Sequence, residues 1–168
     1  DLGATICTPR RPSCMLCPLR TDCAALDRGD PERYPLRAPK AERPTRRGAA
    51  FVATRPDGAI LLRRRPDKGL LGGMSEVPTS GWTARADGDD TPRAAPLAAD
   101  WIAAGGVTHV FTHFELRLSV YRAAVPDFAP SPGYRWARPE DIHDEALPTV
   151  MKKAIEAAIP GATRKRRP

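Results

Sequence analysis

The stretch that decides the fold class is AAFVATRPDGAILL, residues 49–62. Two short apolar runs, residues 49–54 and residues 59–62, flank the sequence Pro56-Asp57-Gly58. Proline, aspartate and glycine are residue types that form tight turns, each for its own backbone reason. We therefore predict two antiparallel strands joined as a β-hairpin.

Further strands are expected towards the C-terminus. Residues 107–111 and 114–125 predict a second strand pair. In the longer of the two, apolar side chains alternate with others, which indicates that one face is buried. The apolar positions are Leu116, Leu118 and Val120, and those between them are Arg117, Ser119 and Tyr121. Residues 67–73 contain three glycines and are predicted to form a loop.

Two helices are expected beside these strands. Residues 97–104 have helical composition and are followed by Gly105-Gly106, which favours a helix that stops there. Residues 148–159 predict an amphipathic helix, because apolar side chains recur at helical spacing. Those apolar positions are Val150, Met151, Ala154, Ile155 and Ala158. Strands with flanking helices make the predicted fold class α+β.

Composition changes twice towards the N-terminus. Residues 30–47 carry four prolines and six basic residues, which predicts an extended linker without a helix. The chain starts at Asp1 in what reads as an incomplete element, so we expect a fragment of a longer protein. The predicted segments are a cysteine loop at 1–29, a linker at 30–47, a folded domain at 48–160 and a basic tail at 161–168.

The charge balance favours a polyanionic partner. The chain has 27 Lys+Arg against 20 Asp+Glu, a formal net charge of +7. Nucleic acid is the leading candidate, although an arginine-rich genome composition would produce the same balance. Every apolar run is shorter than the roughly 18 residues that a membrane span needs, so we expect a soluble, cytoplasmic protein.

All four cysteines lie within the first 23 residues, with the spacing Cys7-x6-Cys14-x2-Cys17-x5-Cys23. This clustering favours a metal site over a disulfide framework, which would join distant parts of the fold. A single short loop can wrap an iron-sulfur cubane, because each iron takes one thiolate. A zinc ribbon is the weaker alternative, since it normally has two C-x-x-C pairs and this chain has one. Two disulfides are the third possibility.

The loop between the first two cysteines contains Arg10 and Arg11. Adjacent guanidinium groups suit phosphate oxygens, where they position a protein on nucleic acid without reading its sequence. The alternative is a pair of solvated arginines.

Two motifs carry a family resemblance. The run Asp1-Leu2-Gly3-Ala4 with the cysteine spacing resembles the cluster motif that ends the helix-hairpin-helix domain of endonuclease III and of adenine DNA glycosylases of the MutY family. Residues 69–78, GLLGGMSEVP, resemble the glycine-rich stretch of the MutY family's Nudix-like domain, with Ser75 where an aromatic is usual. Endonuclease III relatives normally lack such a domain, so the MutY family is the better match. The resemblance implies a mixed sheet, and a 4Fe-4S cluster on Cys7, Cys14, Cys17 and Cys23.

A third motif, HVFTHF at residues 109–114, resembles the Phe-Ser/Thr-His motif with which this family recognises 8-oxoguanine opposite adenine. The resemblance implies that Phe111 presses against the base stack, that Thr112 hydrogen-bonds the oxidised base edge, and that His113 supports that contact or the backbone. It also makes Arg10 and Arg11 candidates for DNA contacts. Ordinary strand content at a strand end is the alternative interpretation.

The function implied is that of the C-terminal part of an adenine DNA glycosylase, which removes adenine mispaired with 8-oxoguanine or guanine in double-stranded DNA during base excision repair. The family's catalytic carboxylates precede the cluster motif, so we expect no catalytic residue here and no activity of this part alone. A monomer associated with the bacterial nucleoid is expected.

Two other classes of protein stay open. One is a freestanding iron-sulfur or zinc module that binds nucleic acid. The other is a Nudix hydrolase, which needs a helix with clustered glutamates, as in R-E-x-x-E-E-x-G, to gather divalent cations beside a pyrophosphate. Residues 82–96 offer instead Asp87, Asp89 and Asp90 among glycine, proline and threonine, which counts against the hydrolase.

Overall fold

The computed structural model describes residues 1–36 and 42–164. The chain divides into two compact units, Asp1–Glu42 and Arg43–Pro168. Residues 37–41 of the predicted linker and residues 165–168 of the predicted tail lie outside the described residues. No helix in either described range is long and apolar enough to cross a bilayer.

The first unit consists of short helical turns. They are α1 (Leu2–Thr5), α2 (Ala24–Asp27) and 3-10 turns at Cys14–Leu16, Arg20–Asp22 and Pro31–Arg33. The carboxylate of Asp1 caps α1 by accepting a hydrogen bond from the N–H of Gly3, at 3.1 Å. None of the described residues of this unit is fully buried, so apolar burial within it contributes little to its stability.

The described residues of the second unit form a mixed β-sheet with one longer helix. The strands are β1 (Thr45–Thr54), β2 (Ile60–Arg64), β3 (Ser75–Glu76), β4 (Ile102–Val110), β5 (Glu115–Ala124) and β6 (Tyr134–Ala137). Their order is β3-β2-β1-β5-β4, and β6 also pairs with β2. Strands β1 and β5 run parallel, while the other pairs are antiparallel. The predicted α+β class is confirmed.

The predicted hairpin at residues 49–62 is confirmed as β1 and β2. The N–H of Arg55 donates to the carbonyl of Ala59 at 3.0 Å, and Gly58 has a φ of +81°, which favours glycine. The carboxylate of Asp57 accepts from the N–H of Ala59 at 3.1 Å. The second pair is confirmed as β4 and β5, which are antiparallel.

The predicted helix at residues 97–104 is wrong. Residues 97–101 are irregular, and strand β4 begins at Ile102 and pairs along β5. Trp101 packs edge-on against Phe51, with ring centroids 5.1 Å apart. Strand pairing and aromatic burial therefore override the helical composition of this segment. The two glycines that predicted a helix stop lie inside β4, where Gly105 has a φ of +103° at a break in the register.

The predicted start of the folded domain at Gly48 is three residues too late. Strand β1 begins at Thr45, because residues 45–47 pair with Glu115, Leu116 and Arg117 of β5. The end of the predicted linker therefore belongs to the sheet.

The main core lies between the sheet and α3 (Thr149–Ala158). The helix buries Val150, Met151, Ala154, Ile155 and Ala158, which confirms the predicted apolar face. Its counterpart on β5 is the predicted row Leu116, Leu118 and Val120, each at most 2% exposed. A smaller cluster, which includes Ala53 and Ala123, lies on the opposite sheet face with Trp101 and Trp136 packed against it.

Candidate functional site

The turn between β4 and β5 brings the three predicted recognition residues together. The N–H of Phe111 donates to the carbonyl of Phe114 at 2.8 Å and closes the turn. Thr112 and His113 lie between them and are both exposed. No side-chain hydrogen bond within the described ranges involves either residue, so both are available to an external partner. The strands that end here hold the turn at the edge of the sheet.

An aromatic stack supports the turn from below. The ring of Phe111 is half-buried and stacks on Phe114, with centroids 4.6 Å apart and an interplanar angle of 21°. Phe114 is 2% exposed and belongs to the main core. The ring of His109 meets Phe111 edge-on at 4.6 Å. Phe111 is thereby fixed by contacts within the protein, an anchoring role that the sequence did not reveal.

A lysine of α3 lies beside this stack. The ammonium of Lys153 donates to the carbonyl of Thr108 at 3.1 Å. Partial burial lowers the pKa of His109 below its usual value, and the nearby charge of Lys153 lowers it further. Both effects favour the neutral form of His109, whose ring packs edge-on against Phe111. Sequence reasoning missed His109 and Lys153 as supports, although the two-residue spacing of His109 and Phe111 places them on one strand face.

The four cysteines of the first unit share one concavity. It has a volume of about 50 Å³ and is lined by all four cysteines together with apolar side chains such as Ile6 and Leu26. Cys7 is exposed, and the other three are half-buried; all four are free thiols. Within residues 1–36 and 42–164 there is no group of three or more His, Cys, Asp or Glu side chains that could hold a metal ion.

The loop between Cys7 and Cys14 displays both predicted arginines. The N–H of Ser13 donates to the carbonyl of Ile6 at 2.9 Å and closes the loop at its base. Arg11 adopts a left-handed backbone with a φ of +54°, and its N–H donates to the carboxylate of Glu32 at 3.2 Å. Arg10 and Arg11 are both exposed, and neither guanidinium forms an ion pair with the described residues. The loop thus presents two unpaired cations.

The glycine-rich stretch ends in a buried glutamate. Glu76 is 1% exposed in β3, and its carboxylate is held by Arg63, at 2.8 Å, and by Arg65. Two guanidinium groups compensate the charge of this buried carboxylate, so Glu76 has a structural role. Of residues 82–96, only Pro92–Ala94 are helical, in a single 3-10 turn.

The carboxylates of that segment are engaged with backbone groups. Asp87 accepts from the N–H of Arg47 at 3.1 Å, and Asp89 accepts from the N–H of Thr91 at 2.8 Å. Hydrogen bonds from the hydroxyl of Thr91 and, to a smaller extent, from its N–H lower the pKa of Asp89. These side chains therefore stabilise loop structure.

Comparison with known proteins identifies the class of this fold. The sequence profile of the NUDIX domain family matches residues 49–157, and the chain belongs to that family. The MutT protein from Methanosarcina mazei Go1 has the same fold, with a TM-score of 0.52 and 19% identity over 70% of this chain and 94% of that one.

Sequence relatives narrow the resemblance further. The chain is 30% identical to the human adenine DNA glycosylase over 92% of its own length and 39% of the length of that enzyme. The C-terminal domain of mouse MUTYH, in a crystal structure of its complex with human PCNA, matches with a TM-score of 0.54 and 28% identity, covering 66% of this chain and 85% of that one. The predicted resemblance to the C-terminal portion of MutY-type adenine DNA glycosylases is confirmed. The chain spans about two fifths of the length of the human relative.

Proposed function

We propose that this chain is the part of an adenine DNA glycosylase that recognises 8-oxoguanine opposite the target adenine and holds the damaged duplex. The complete enzyme hydrolyses the N-glycosidic bond of adenine mispaired with 8-oxoguanine or guanine, and thereby starts base excision repair. The observation that carries this proposal is the exposure of Thr112 and His113 on a turn that Phe111 anchors in the core.

The chemistry of the oxidised base suits this turn. Oxidation converts N7 of guanine from an acceptor to an N–H donor and adds a carbonyl oxygen at C8. A hydroxyl both donates and accepts hydrogen bonds, so the side chain of Thr112 can pair with either group. His113 lies beside it and can support that contact or bind the DNA backbone. Phe111 contributes by fixing the turn and by facing the base stack with its exposed edge.

We propose a second contact at the cysteine loop. A 4Fe-4S cluster takes one thiolate per iron, and a cubane is larger than a single ion, so its ligands stand further apart than those of one zinc. All four free thiols line one concavity, which supports the proposal that they bind one cluster together. Cys7, Cys14, Cys17 and Cys23 would hold the cluster. When bound, it serves as a structural brace for the loop.

The exposed guanidinium groups of Arg10 and Arg11 then contact DNA phosphates from this braced loop. Such contacts add affinity for any duplex and position the protein, while the turn at Thr112 provides the preference for the damaged base. We assign no catalytic residue to this chain, because its carboxylates at Glu76, Asp87 and Asp89 are engaged within the fold.

Binding and excision by the 168-residue chain test this proposal together. The chain is purified without oxygen, and its monomer is titrated into solutions of labelled duplexes. These duplexes contain an 8-oxoguanine:adenine, guanine:adenine or guanine:cytosine pair. We expect the tightest binding to the first duplex and no adenine release from any of them. Equal affinity for all three duplexes, or measurable adenine release, would refute the proposal.

A further inference from the structure

One face of the sheet is covered along only part of its length. Towards the C-terminal ends of β1 and β5, this face carries Phe51 and Tyr121, whose rings stack with centroids 5.7 Å apart. Trp101 covers this part of the face by packing edge-on against Phe51. Towards the starts of these two strands, the same face carries Arg47 and Arg117, which are both exposed. The uncovered part is therefore the part next to the β4–β5 turn, because β5 begins directly after that turn.

The two arginines are direct neighbours. Strands β1 and β5 are parallel, and Arg47 pairs with Arg117 in the register. Residues paired across adjacent strands lie on the same face, and the strands are about 4.8 Å apart. Two guanidinium groups at that separation can reach one phosphate together, or two consecutive phosphates.

This arrangement places like charges side by side with little compensation. Like charges directly opposite each other in a sheet are destabilising. Arg117 has one partner, Glu115, whose carboxylate accepts from its Nε at 2.8 Å. Within the described residues, the guanidinium of Arg47 forms no ion pair. The pair thus carries net positive charge. Within the described residues, no contact explains why two arginines are placed next to each other.

The backbone at Arg47 is fixed, although its side chain is not. Its N–H donates to the carboxylate of Asp87 at 3.1 Å, and its carbonyl accepts from the N–H of Gly88 at 2.8 Å. The guanidinium consequently starts from a rigid position, which lowers the entropy cost of binding an anion.

The distance to the turn suits a DNA strand. Arg117 lies five residues beyond Thr112, and at about 3.4 Å per residue its Cα is at most about 17 Å from the Cα of Thr112. Along a DNA strand the rise is about 3.4 Å per nucleotide, so that separation corresponds to at most about five nucleotides. A duplex read at Thr112 would present its backbone to this face.

We propose that Arg47 and Arg117 form a phosphate-binding site that holds the backbone of the duplex while the turn reads the base. The pair contributes affinity without sequence preference, and its cost in stability is offset when DNA binds. This inference rests on the proposed function, since it takes damaged duplex DNA as the ligand.

The test compares the 168-residue chain with three variants. Arg47→Ser/Arg117→Ser removes both charges, and Arg47→Lys/Arg117→Lys keeps them. Arg122→Ser is the matched control, because Arg122 is also an exposed arginine of β5. It lies near the C-terminal end of the strand and on the opposite face of the sheet. Affinity for an 8-oxoguanine:adenine duplex and for its undamaged counterpart is measured between about 50 and 200 mM salt.

The serine pair should lower the slope of log K against log salt by up to about two units, and weaken binding to both duplexes by the same factor, about tenfold or more. The lysine pair should keep most of the slope, which excludes misfolding as the cause. An unchanged slope in the serine pair, a lysine pair as weak as the serine pair, or an equal loss in Arg122→Ser would overturn the phosphate site.

The failure of this inference is distinguishable from that of the proposed function. If Thr112→Ala abolishes the preference for 8-oxoguanine while the serine pair binds like the parent chain, recognition stands and the phosphate site is refuted. If the serine pair weakens all binding while Thr112→Ala changes nothing, the phosphate site stands and the recognition role is refuted.

Discussion

The hydroxyl of Ser75 donates a hydrogen bond to Oε2 of Glu145, at 2.9 Å. Arg135 completes this group, because its guanidinium donates to both carboxylate oxygens of Glu145, at 2.5 and 2.6 Å, and to Oγ of Ser75 at 2.9 Å. Ser75 occupies the position at which the MutY resemblance leads one to expect an aromatic side chain. A small hydroxyl here leaves room for an ion pair that ties β3, β6 and the loop before α3 together.

This ion pair should make stability depend on pH in the acid range. Hydrogen bonds from Arg135, and to a smaller extent from Ser75, lower the pKa of Glu145, although partial burial opposes them. A carboxyl group with a lowered folded pKa stabilises the fold fully above its unfolded pKa, about 4.3, and loses that contribution as pH falls through the folded value. The melting temperature should therefore fall more steeply below about pH 4.3 in the parent chain than in Glu145→Gln. Parallel melting curves for the two proteins would contradict this role.

Thr112→Ala should reduce the preference for 8-oxoguanine over guanine opposite adenine by roughly 1 to 3 kcal/mol, in line with a specific base contact. The hydroxyl is the group that we assign to the oxidised base edge, and alanine lacks it. Thr112→Ser is the matched control, because it keeps the hydroxyl at the same exposed position. Competition binding with the two duplexes measures the effect. A serine variant as indiscriminate as the alanine variant would show that the hydroxyl is not the recognition group.

Cys17→Ser should lower the iron and sulfide content of anaerobically purified protein and its visible absorption. A hydroxyl is a poor substitute for a thiolate, so the cluster would lose one of its four ligands. Thermal unfolding of the β-sheet unit should change little, since all four cysteines lie in the other compact unit. Met15→Ala serves as a control, because Met15 is an exposed residue of the same loop without a ligand role. Colourless parent protein that contains zinc would disprove the cluster assignment.

Arg10→Ala should weaken binding to all duplexes alike and reduce the salt dependence by up to about one unit. Its guanidinium is exposed and forms no ion pair within the described residues, so little of the protein's own structure depends on it. Arg33→Ala is the comparison, since Arg33 already contacts the carboxylate of Asp30 at 3.4 Å. An effect of Arg10→Ala that is restricted to the damaged duplex would be incompatible with a phosphate contact.

The sequence predicts those parts of the fold whose structure depends on local pattern. The hairpin at residues 49–62 follows from turn residues between apolar runs, and the buried face of α3 follows from helical spacing. The failure at residues 97–104 has a non-local cause, since that segment is held by β5 and by Phe51, which are remote in sequence. Composition carries no information about such partners.

The sequence predicts the chemical groups of the candidate site better than it predicts the contacts that hold them in place. Thr112 and His113 are recognisable from the motif, but the stack of Phe111 on Phe114 requires knowledge of the core. The neighbouring positions of Arg47 and Arg117 depend on a parallel register, which neither strand reveals by itself. Sequence therefore predicts which groups are present, and tertiary structure determines which of them act together.

The parallel pairing of β1 with β5 also has a consequence for folding kinetics. The turn at Thr112 joins adjacent strands, and such a hairpin forms locally within about 1 to 10 μs. The pairing of Thr45 with Glu115 is a long-range contact, and contacts of that kind form slowly because a long loop must close first. A newly made chain thus forms the β4–β5 turn early, but the turn becomes fixed in the sheet only when the start of β1 pairs with β5, which is a slow, long-range step.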